Sequence, residues 1–391
     1  FIKNIKRTME IVCKQSELNN AIQLVSKAVA SRPTHPILAN ILLTADQVTN
    51  KISLTGFDLN LGIQTSFDGL VNKSGAITIP SKLLLEIVNK LPTESPVTIS
   101  VDDSTDSILL KSERGSFNLK GIPSDDYPNL PFVENGTSLD IDPFSLLKSL
   151  KLTIFSSSND ESKQLLTGVN FKFKKNCLES AATDGHRLAV FLTNNEQIND
   201  VKDVITEDSL SVTIPTRSLR EIEKLLTLKN AEKSIKLFYD KGQIVLISSS
   251  QIITTRTLEG NYPNYSQLIP DSFSKILKFE TKQLIDSLER IAVLADQQSS
   301  VVKIKVGDDQ LALISADAQD IGNANESLSV AFSGDNFEIA FNVRYLLEGL
   351  RVISSQYVLL KCNLPTTPAI VVPEDNLSSF TYLVMPVQVR S

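Results

Sequence analysis

Ile214-Pro215-Thr216 opens an apolar-periodic segment that runs from Leu219 to Leu226. A similar opening, Ile79-Pro80-Ser81, precedes Leu83 to Leu91, and the two prolines stand 135 residues apart. Phe341-Asn342-Val343 opens a third such segment, Leu346 to Leu350, with Val343 lying 128 residues beyond Pro215. Leucines and isoleucines recurring at helical spacing predict one amphipathic helix in each place. Pro80 and Pro215 suit a first helical turn, where a missing N–H leaves nothing unsatisfied.

Outward from these helices the repetition continues. A second stripe precedes each one: Leu18, Ile22, Val25 and Val29; then Leu146, Leu147, Leu150 and Ile154, entered through Asp142-Pro143; then Leu284, Leu288, Ile291 and Leu294. Helices are expected at 16–29, 81–91, 143–155, 216–229, 282–295 and 343–352. The linkers repeat too: Asp126-Tyr127-Pro128-Asn129-Leu130-Pro131 corresponds to Asn261-Tyr262-Pro263-Asn264-Tyr265. Each follows a strand-like run, Gly115 to Ile122 and Gln251 to Leu258, and proline ends a ladder. Strand signals also stand at Lys51 to Thr55, Gln243 to Ile247 and Gln310 to Ile314. The fold class is therefore α+β, with three similar units of about 130 residues, each two helices packed on antiparallel strands. The expected divisions are 9–134, 135–263 and 264–391. Residues 1–8 carry three cations and no acid; they are short, lack a cleavage pattern, and read as an upstream extension before Met9.

Near the middle of the chain, within the second unit, lies Ala182-Thr183-Asp184-Gly185-His186-Arg187-Leu188-Ala189-Val190. The alternating run Val169-Asn170-Phe171-Lys172-Phe173 precedes it, and an apolar run follows it to Leu192. That pattern predicts antiparallel strands with Asp184-Gly185 in the turn, where glycine accepts positive φ and aspartate bonds its own backbone. Asp184, His186 and Arg187 could suggest catalysis. An activated nucleophile needs a Ser or Cys and a base held together. The chain has two histidines, His35 in a Pro-rich turn and His186. There is no Gly-x-Ser-x-Gly, phosphate loop or His-Glu-x-x-His motif. A polar turn or binding rim is the reading taken, and no catalytic residue, metal ligand or cofactor is expected.

Composition supports a folded chain of two or three domains: 391 residues, 41% hydrophobic and 21% charged. No run approaches the 18 apolar residues of a membrane helix. Cys13, Cys177 and Cys362 are far apart, which gives neither a zinc pattern nor a disulfide framework. The net charge of −6 is unevenly spread. The six expected helices carry thirteen cations and seven acids, a net +6, leaving −12 on the remainder. If the helices line one surface, it is basic on an acidic body, able to hold phosphates without reading bases. No aromatic platform interleaves with the cations, so duplex suits it better than single strand.

These features, together with Arg32-Pro33-Thr34-His35-Pro36-Ile37-Leu38, Leu54-Thr55-Gly56-Phe57-Asp58-Leu59, Ala182 to Val190 and Met385-Pro386, make the chain resemble the bacterial DNA polymerase III beta subunit family, the replication sliding clamps. The resemblance runs from about Met9 to Pro386. It implies three sliding-clamp domains per chain and a head-to-tail homodimer, a ring with helices inside and sheets outside that encircles duplex DNA and slides. It implies no enzyme, but an accessory subunit in the cytoplasm beside the nucleoid. Its partners would be double-stranded DNA without sequence preference, the DNA polymerase catalytic subunit, the clamp loader, and repair polymerases and ligase-type proteins carrying short peptide motifs.

The implied peptide pocket joins Leu166, Thr183, Gly185, His186, Arg187 and Leu188 to Pro263, Leu268, Leu383, Val384, Met385 and Pro386. Apolar walls with a polar rim suit a short hydrophobic peptide, and methionine adapts to several ligands. Arg32 would contact DNA, alongside the helix cations Lys82, Lys148, Lys151, Arg217, Lys224, Lys282 and Arg344. Phe117 and Leu119 fall where the first domain would meet Val293 and Leu294 of a second copy, though all four could equally be core residues. The chain departs from the family at Gln164-Leu165, where aromatics are usual, so contact with single-stranded template does not carry over. It also runs slightly past the family's usual end. On the residues alone, an enzyme using Asp184, His186 and Arg187 remains open, as does a peptide scaffold that binds no DNA.

Overall fold

The structure is a computed structural model that describes residues 8–102, 105–133, 136–174, 177–194, 210–228, 235–295, 300–307, 310–318, 322–375 and 379–388. Most of the upstream extension and the last three residues of the tail lie outside the described residues. All six expected helices form: α1 Gln15–Val25, α2 Ser81–Asn89, α3 Pro143–Thr153, α4 Thr216–Leu228, α5 Thr281–Ala292 and α6 Val343–Arg351. Their buried faces are the predicted stripes, among them Leu18, Ile22 and Val25 on α1, Leu284, Leu288 and Ile291 on α5, and Leu346 and Leu350 on α6. They pack in pairs, α1 on α2, α3 on α4 and α5 on α6. None of the helices among the described residues is long and apolar enough to cross a membrane.

The helix starts differ in chemistry. Asp142 caps α3, accepting from the N–H of Ser145 at 2.8 Å and of Phe144 at 3.3 Å. Asn342 caps α6, accepting from Arg344 N at 3.0 Å and Tyr345 N at 3.4 Å. Each satisfies two of the four orphan donors of a helix start. Pro80 and Pro215 stand immediately before their helices and not within the first turn. They end the strands Gly75–Pro80 and Leu210–Pro215, and the helix begins with the next residue. Both strands lie at a sheet edge, where a missing N–H breaks no ladder.

The chain separates into two compact units. One holds the described residues up to Ile141 and those of 229–257; the other holds Asp142–Leu228 and everything from Leu258 onward. In the first unit a five-stranded sheet runs Leu70–Lys73, Met9–Lys14, Pro96–Asp102, Ser107–Ser112, Gly115–Lys120. Beside it in the same unit, an eight-stranded antiparallel sheet joins strands of the first repeat to strands of the second. The junction is Leu61–Asp68 paired with Gln251–Arg256, with Leu61 opposite Thr255. In the second unit, a nine-stranded antiparallel sheet joins the second repeat to the third where Arg187–Asn194 pairs with Phe380–Val384. A four-stranded sheet, Gly322–Ser329, Leu311–Ala318, Val301–Val306, Phe337–Asn342, completes it. The sequence assigned each repeat its own strands; instead, sheets run on from one repeat into the next. Pairing across the junction removes the open edges that separate sheets would carry.

The core of the second unit closes around α5, α6 and the buried Tyr382. Gly349, inside α6, marks the tightest approach: a Cβ there would lie 2.1 Å from Tyr382 Cε1. Mid-helix glycine costs about 1 kcal/mol relative to alanine, so its presence reflects the ring pressed against it. Overpacking costs about 1–3 kcal/mol. Gly349→Ala is therefore expected to lower stability by about 2 kcal/mol, read as a fall in the urea midpoint. An unchanged midpoint would mean that the Tyr382 ring is free to move.

Candidate functional site

The Ala182 stretch forms a turn between the strands Cys177–Thr183 and Arg187–Asn194, as its sequence predicts. Gly185 takes φ +95°, a conformation that costs residues with a Cβ. Asp184 closes the turn: its Oδ1 accepts from His186 N at 2.8 Å and Arg187 N at 3.1 Å. The Thr183 hydroxyl donates to the Arg187 carbonyl at 2.5 Å and accepts from Gly185 N at 3.1 Å. Four local hydrogen bonds thus hold the bend.

Cross-strand pairing then brings the C-terminal segment alongside. Arg187 stands opposite Val384 and Leu188 opposite Leu383. Met385 N donates to the His186 carbonyl at 2.9 Å, and Val387 N to the Ala340 carbonyl at 2.8 Å. The linker comes from the other side. Tyr262 Oη accepts from Thr183 N at 3.0 Å, and Tyr265 donates to Glu179. Lys172 Nζ lies 3.1 Å from Glu179 and 4.4 Å from the Tyr265 ring centroid, and Lys174 Nζ lies 3.1 Å from the second Glu179 oxygen. Burial alone would raise the Glu179 pKa, but the Tyr265 hydroxyl and the two ammonium groups outweigh it and bring it down to about 2. Burial pushes the Tyr262 and Tyr265 phenols up. The linker is thus pinned to the sheet by an ionised carboxylate under neutral tyrosines.

The twelve expected pocket residues fall into layers. Leu188 and Leu383 are buried with Ala181, Tyr265 and Ile370 under the linker. Thr183, Arg187 and Val384 are buried as well. Gly185, His186, Pro263, Leu268 and Met385 are exposed, and Leu166 and Pro386 half-buried. Leu166 belongs to the 3-10 segment Glu161–Thr167, whose Lys163 Nζ donates to the Asp184 carbonyl at 3.4 Å. The result is an apolar floor with an exposed rim of His186, Leu268 and Met385.

Arg187 is the most heavily engaged side chain of the set. Its Nε is 3.0 Å from Asp184 Oδ2, its Nη1 2.6 Å from Glu348 Oε2, and its Nη2 donates to the Phe155 carbonyl at 2.7 Å. Its guanidinium carbon is 4.5 Å from the Tyr345 ring centroid. Burial works against the charge; Tyr382, Glu348 and Asp184 outweigh it, and the guanidinium pKa rises. The His186 ring stacks on Tyr345 at 6.3 Å. Glu348, Tyr345 and Phe155 escaped the sequence reading. Glu348 lies 161 residues from Arg187, and nothing local in either segment pairs them. Among the described residues no group of three or more His, Cys, Asp or Glu could hold a metal ion.

The eight expected DNA-facing cations, Arg32, Lys82, Lys148, Lys151, Arg217, Lys224, Lys282 and Arg344, are all exposed. Lys224 pairs with Glu221 at 2.9 Å, and Lys148 Nζ lies 5.4 Å from the Phe191 ring centroid. In the second unit a cavity of about 730 Å³ between α4 and the turn after α3 is lined by Arg217, Arg220 and Lys224, with Asn159, Gln164 and Thr167 opposite. At the expected seam the four residues divide. Val293 is 81% exposed and Phe117 37%, Leu294 is half-buried, and Leu119 is in the core.

Family models match almost the whole chain: the DNA polymerase III beta subunit N-terminal domain over residues 9–131, its central domain over 140–264 and its C-terminal domain over 266–388. The chain is 44% identical to the beta sliding clamp of Synechococcus elongatus, over 98% of this chain and 100% of that one. It is 43% identical to that of Synechocystis, over 97% and 99%. Among solved structures, the DNA polymerase sliding clamp of Bacillus subtilis aligns with TM-score 0.89 at 27% identity, covering 98% of this chain and 100% of that one. A sliding clamp from Pseudomonas aeruginosa bound to griselimycin aligns with TM-score 0.89 at 26% identity, covering 98% and 100%.

Proposed function

The chain belongs to the DNA polymerase III beta subunit family, and from that premise we propose how it works as a sliding clamp, a processivity factor of DNA replication. Two copies close head to tail into a ring of six similar domains, taken at 9–134, 135–263 and 264–391 in each chain. The ring encircles duplex DNA and slides. It tethers the polymerase catalytic subunit, and in turn the clamp loader, repair polymerases and ligase-type proteins, through short peptides. The protein works in the cytoplasm on the nucleoid, performs no chemistry of its own, and uses Asp184, His186 and Arg187 to shape a docking rim.

The observation that carries this reading is the threefold repeat of a helix pair on a sheet, with exposed cations on its helices. Such cations hold phosphates at any sequence. A heterologous contact that closes makes a ring, and three domains in each of two chains supply six. Each unit also has a strand at the end of a sheet, Gly115–Lys120 in one and Gly322–Ser329 in the other. Phe117 and Val293 are exposed apolar side chains that a partner copy would cover. The docking rim draws support from the exposed Leu268 and Met385 above an apolar floor.

Sedimentation equilibrium with particle imaging tests the assembly. A two-chain ring with a duplex-sized hole is expected. Leu294→Glu places a charge at the seam and is expected to weaken the dimer by about 2 kcal/mol, roughly thirtyfold in Kd. Monomer alone at micromolar concentration of the unaltered protein would overturn the ring.

A further inference from the structure

The docking turn occurs twice in this chain, and the second copy separates what the turn needs from what Arg187 adds. In the first unit Asp58 Oδ1 accepts from Asn60 N at 3.0 Å and Leu61 N at 2.8 Å. Asp184 Oδ1 does the same with His186 and Arg187 at 2.8 and 3.1 Å. The cross-strand bond repeats as well. Arg256 N donates to the Asn60 carbonyl at 3.1 Å, as Met385 N donates to that of His186 at 2.9 Å. A linker tyrosine also reaches the strand before each turn, Tyr127 donating to the Thr55 carbonyl at 3.2 Å and Tyr262 accepting from Thr183 N at 3.0 Å. Where the second unit has Arg187, the first has the buried Leu61. A guanidinium is not required for this turn to close.

What Arg187 adds lies beyond the turn. It reaches α6 through Glu348 and the segment after α3 through the Phe155 carbonyl, and its guanidinium carbon lies 4.5 Å from the Tyr345 ring centroid. Tyr345 in turn carries the His186 ring. We infer that Glu348 is a positioning residue of the partner-peptide pocket: acting through Arg187, it holds Tyr345 against His186 and fixes that side of the rim before a peptide arrives. This inference rests on the docking reading proposed above. A rim fixed in advance spares the peptide the entropy of ordering it, which raises affinity without a new contact.

Glu348 is suited to a test because its loss leaves the fold standing. Its side chain is 43% exposed, whereas that of Arg187 is 7% exposed. Without Glu348, Arg187 keeps Asp184 and the Phe155 carbonyl. A half-exposed ion pair adds little to global stability, and alanine suits a helix interior.

Two readouts apply to Glu348→Ala in the full-length protein. One is affinity for a fluorescein-labelled short peptide rich in Gln and Leu, by anisotropy. The other is the imidazole resonance of His186 in protein carrying 13C-labelled histidine, where only His35 and His186 contribute. The expected result is an affinity about fivefold lower, a displaced His186 resonance, an unmoved His35 resonance and an unchanged melting temperature. Glu348→Gln keeps an acceptor for the guanidinium and should recover part of the affinity. Peptide affinity equal to that of the unaltered protein, with the His186 resonance in place, would overturn the inference while leaving the docking site intact. Affinity lost in parallel with a collapsed melting temperature would reduce Glu348 to a structural prop and would also overturn it. If the unaltered protein fails to bind the peptide, the docking reading falls and takes this inference with it.

Discussion

Loaded onto a nicked circular duplex, the protein is expected to survive gel filtration on the DNA, and cutting the circle once is expected to release it. Retention on the circle should exceed that on the linear product by at least about tenfold in salt that strips simple phosphate contacts, because such contacts weaken steeply with ionic strength. The reason lies in the kind of contact available. The expected DNA-facing side chains are exposed lysines and arginines, most of them spread over the helices and not gathered on one. Cations of that sort hold DNA weakly and everywhere alike. Firm retention must then come from closure around the duplex, and closure ends where the duplex ends. Arg32→Ala removes one exposed cation, so loading should slow and the slope of log K against log salt should become shallower by about 0.9. Equal retention on circle and linear DNA would sink the sliding reading, whatever the affinity.

The helices of this protein were legible because their signal is local. Leu284, Leu288 and Ile291 must share a face at 3.6 residues per turn, whatever the rest of the chain does. The turn at Asp184-Gly185 was legible for the same reason, since an aspartate side chain and a glycine dihedral settle it within four residues. Partners distant in sequence were not. Nothing in Leu61–Asp68 announces Gln251–Arg256 as its neighbour, because an alternating strand fits any partner of matching pattern. Leu119 and Val293 look alike in sequence, yet one is core and the other 81% exposed. Pro80 and Pro215 end strands instead of entering the first helical turn, because a sheet edge tolerates a missing N–H as readily as a helix start does. Arg187 was singled out as a rim residue, but the acid, the carbonyl and the rings that bury it come from three separate segments. The polar contacts of Arg187 therefore had to come from the structure, whereas the apolar character of Leu188 and Leu383 is plain in the sequence.

Removing residues 385–391 is expected to abolish peptide capture and polymerase stimulation while leaving the dimer intact. Met385 is the exposed apolar side chain at the end of the last strand, held beside the docking turn by its bond to the His186 carbonyl. A peptide anchor buried against it would account for much of the affinity, as buried apolar anchors do at other interfaces. Its loss is expected to weaken binding by at least about 2 kcal/mol, roughly thirtyfold or more. The fold should tolerate the cut. Phe380–Val384 remains paired on both sides, with Arg187–Asn194 and with Ala369–Pro373, and Leu383 and Val384 stay in the core. His186→Ala provides the contrast. The His186 side chain is exposed and its ring stacks on Tyr345, so its removal should cost about 1 kcal/mol or less. Anisotropy of a labelled Gln- and Leu-rich peptide against the unaltered protein, His186→Ala and the truncation ranks the three. If the truncated protein binds as tightly as the unaltered one, the anchor does not enter beside Met385. The turn at 184–187 would then be a structural corner like its counterpart at 58–61, and the partner pocket would have to be sought elsewhere on the chain.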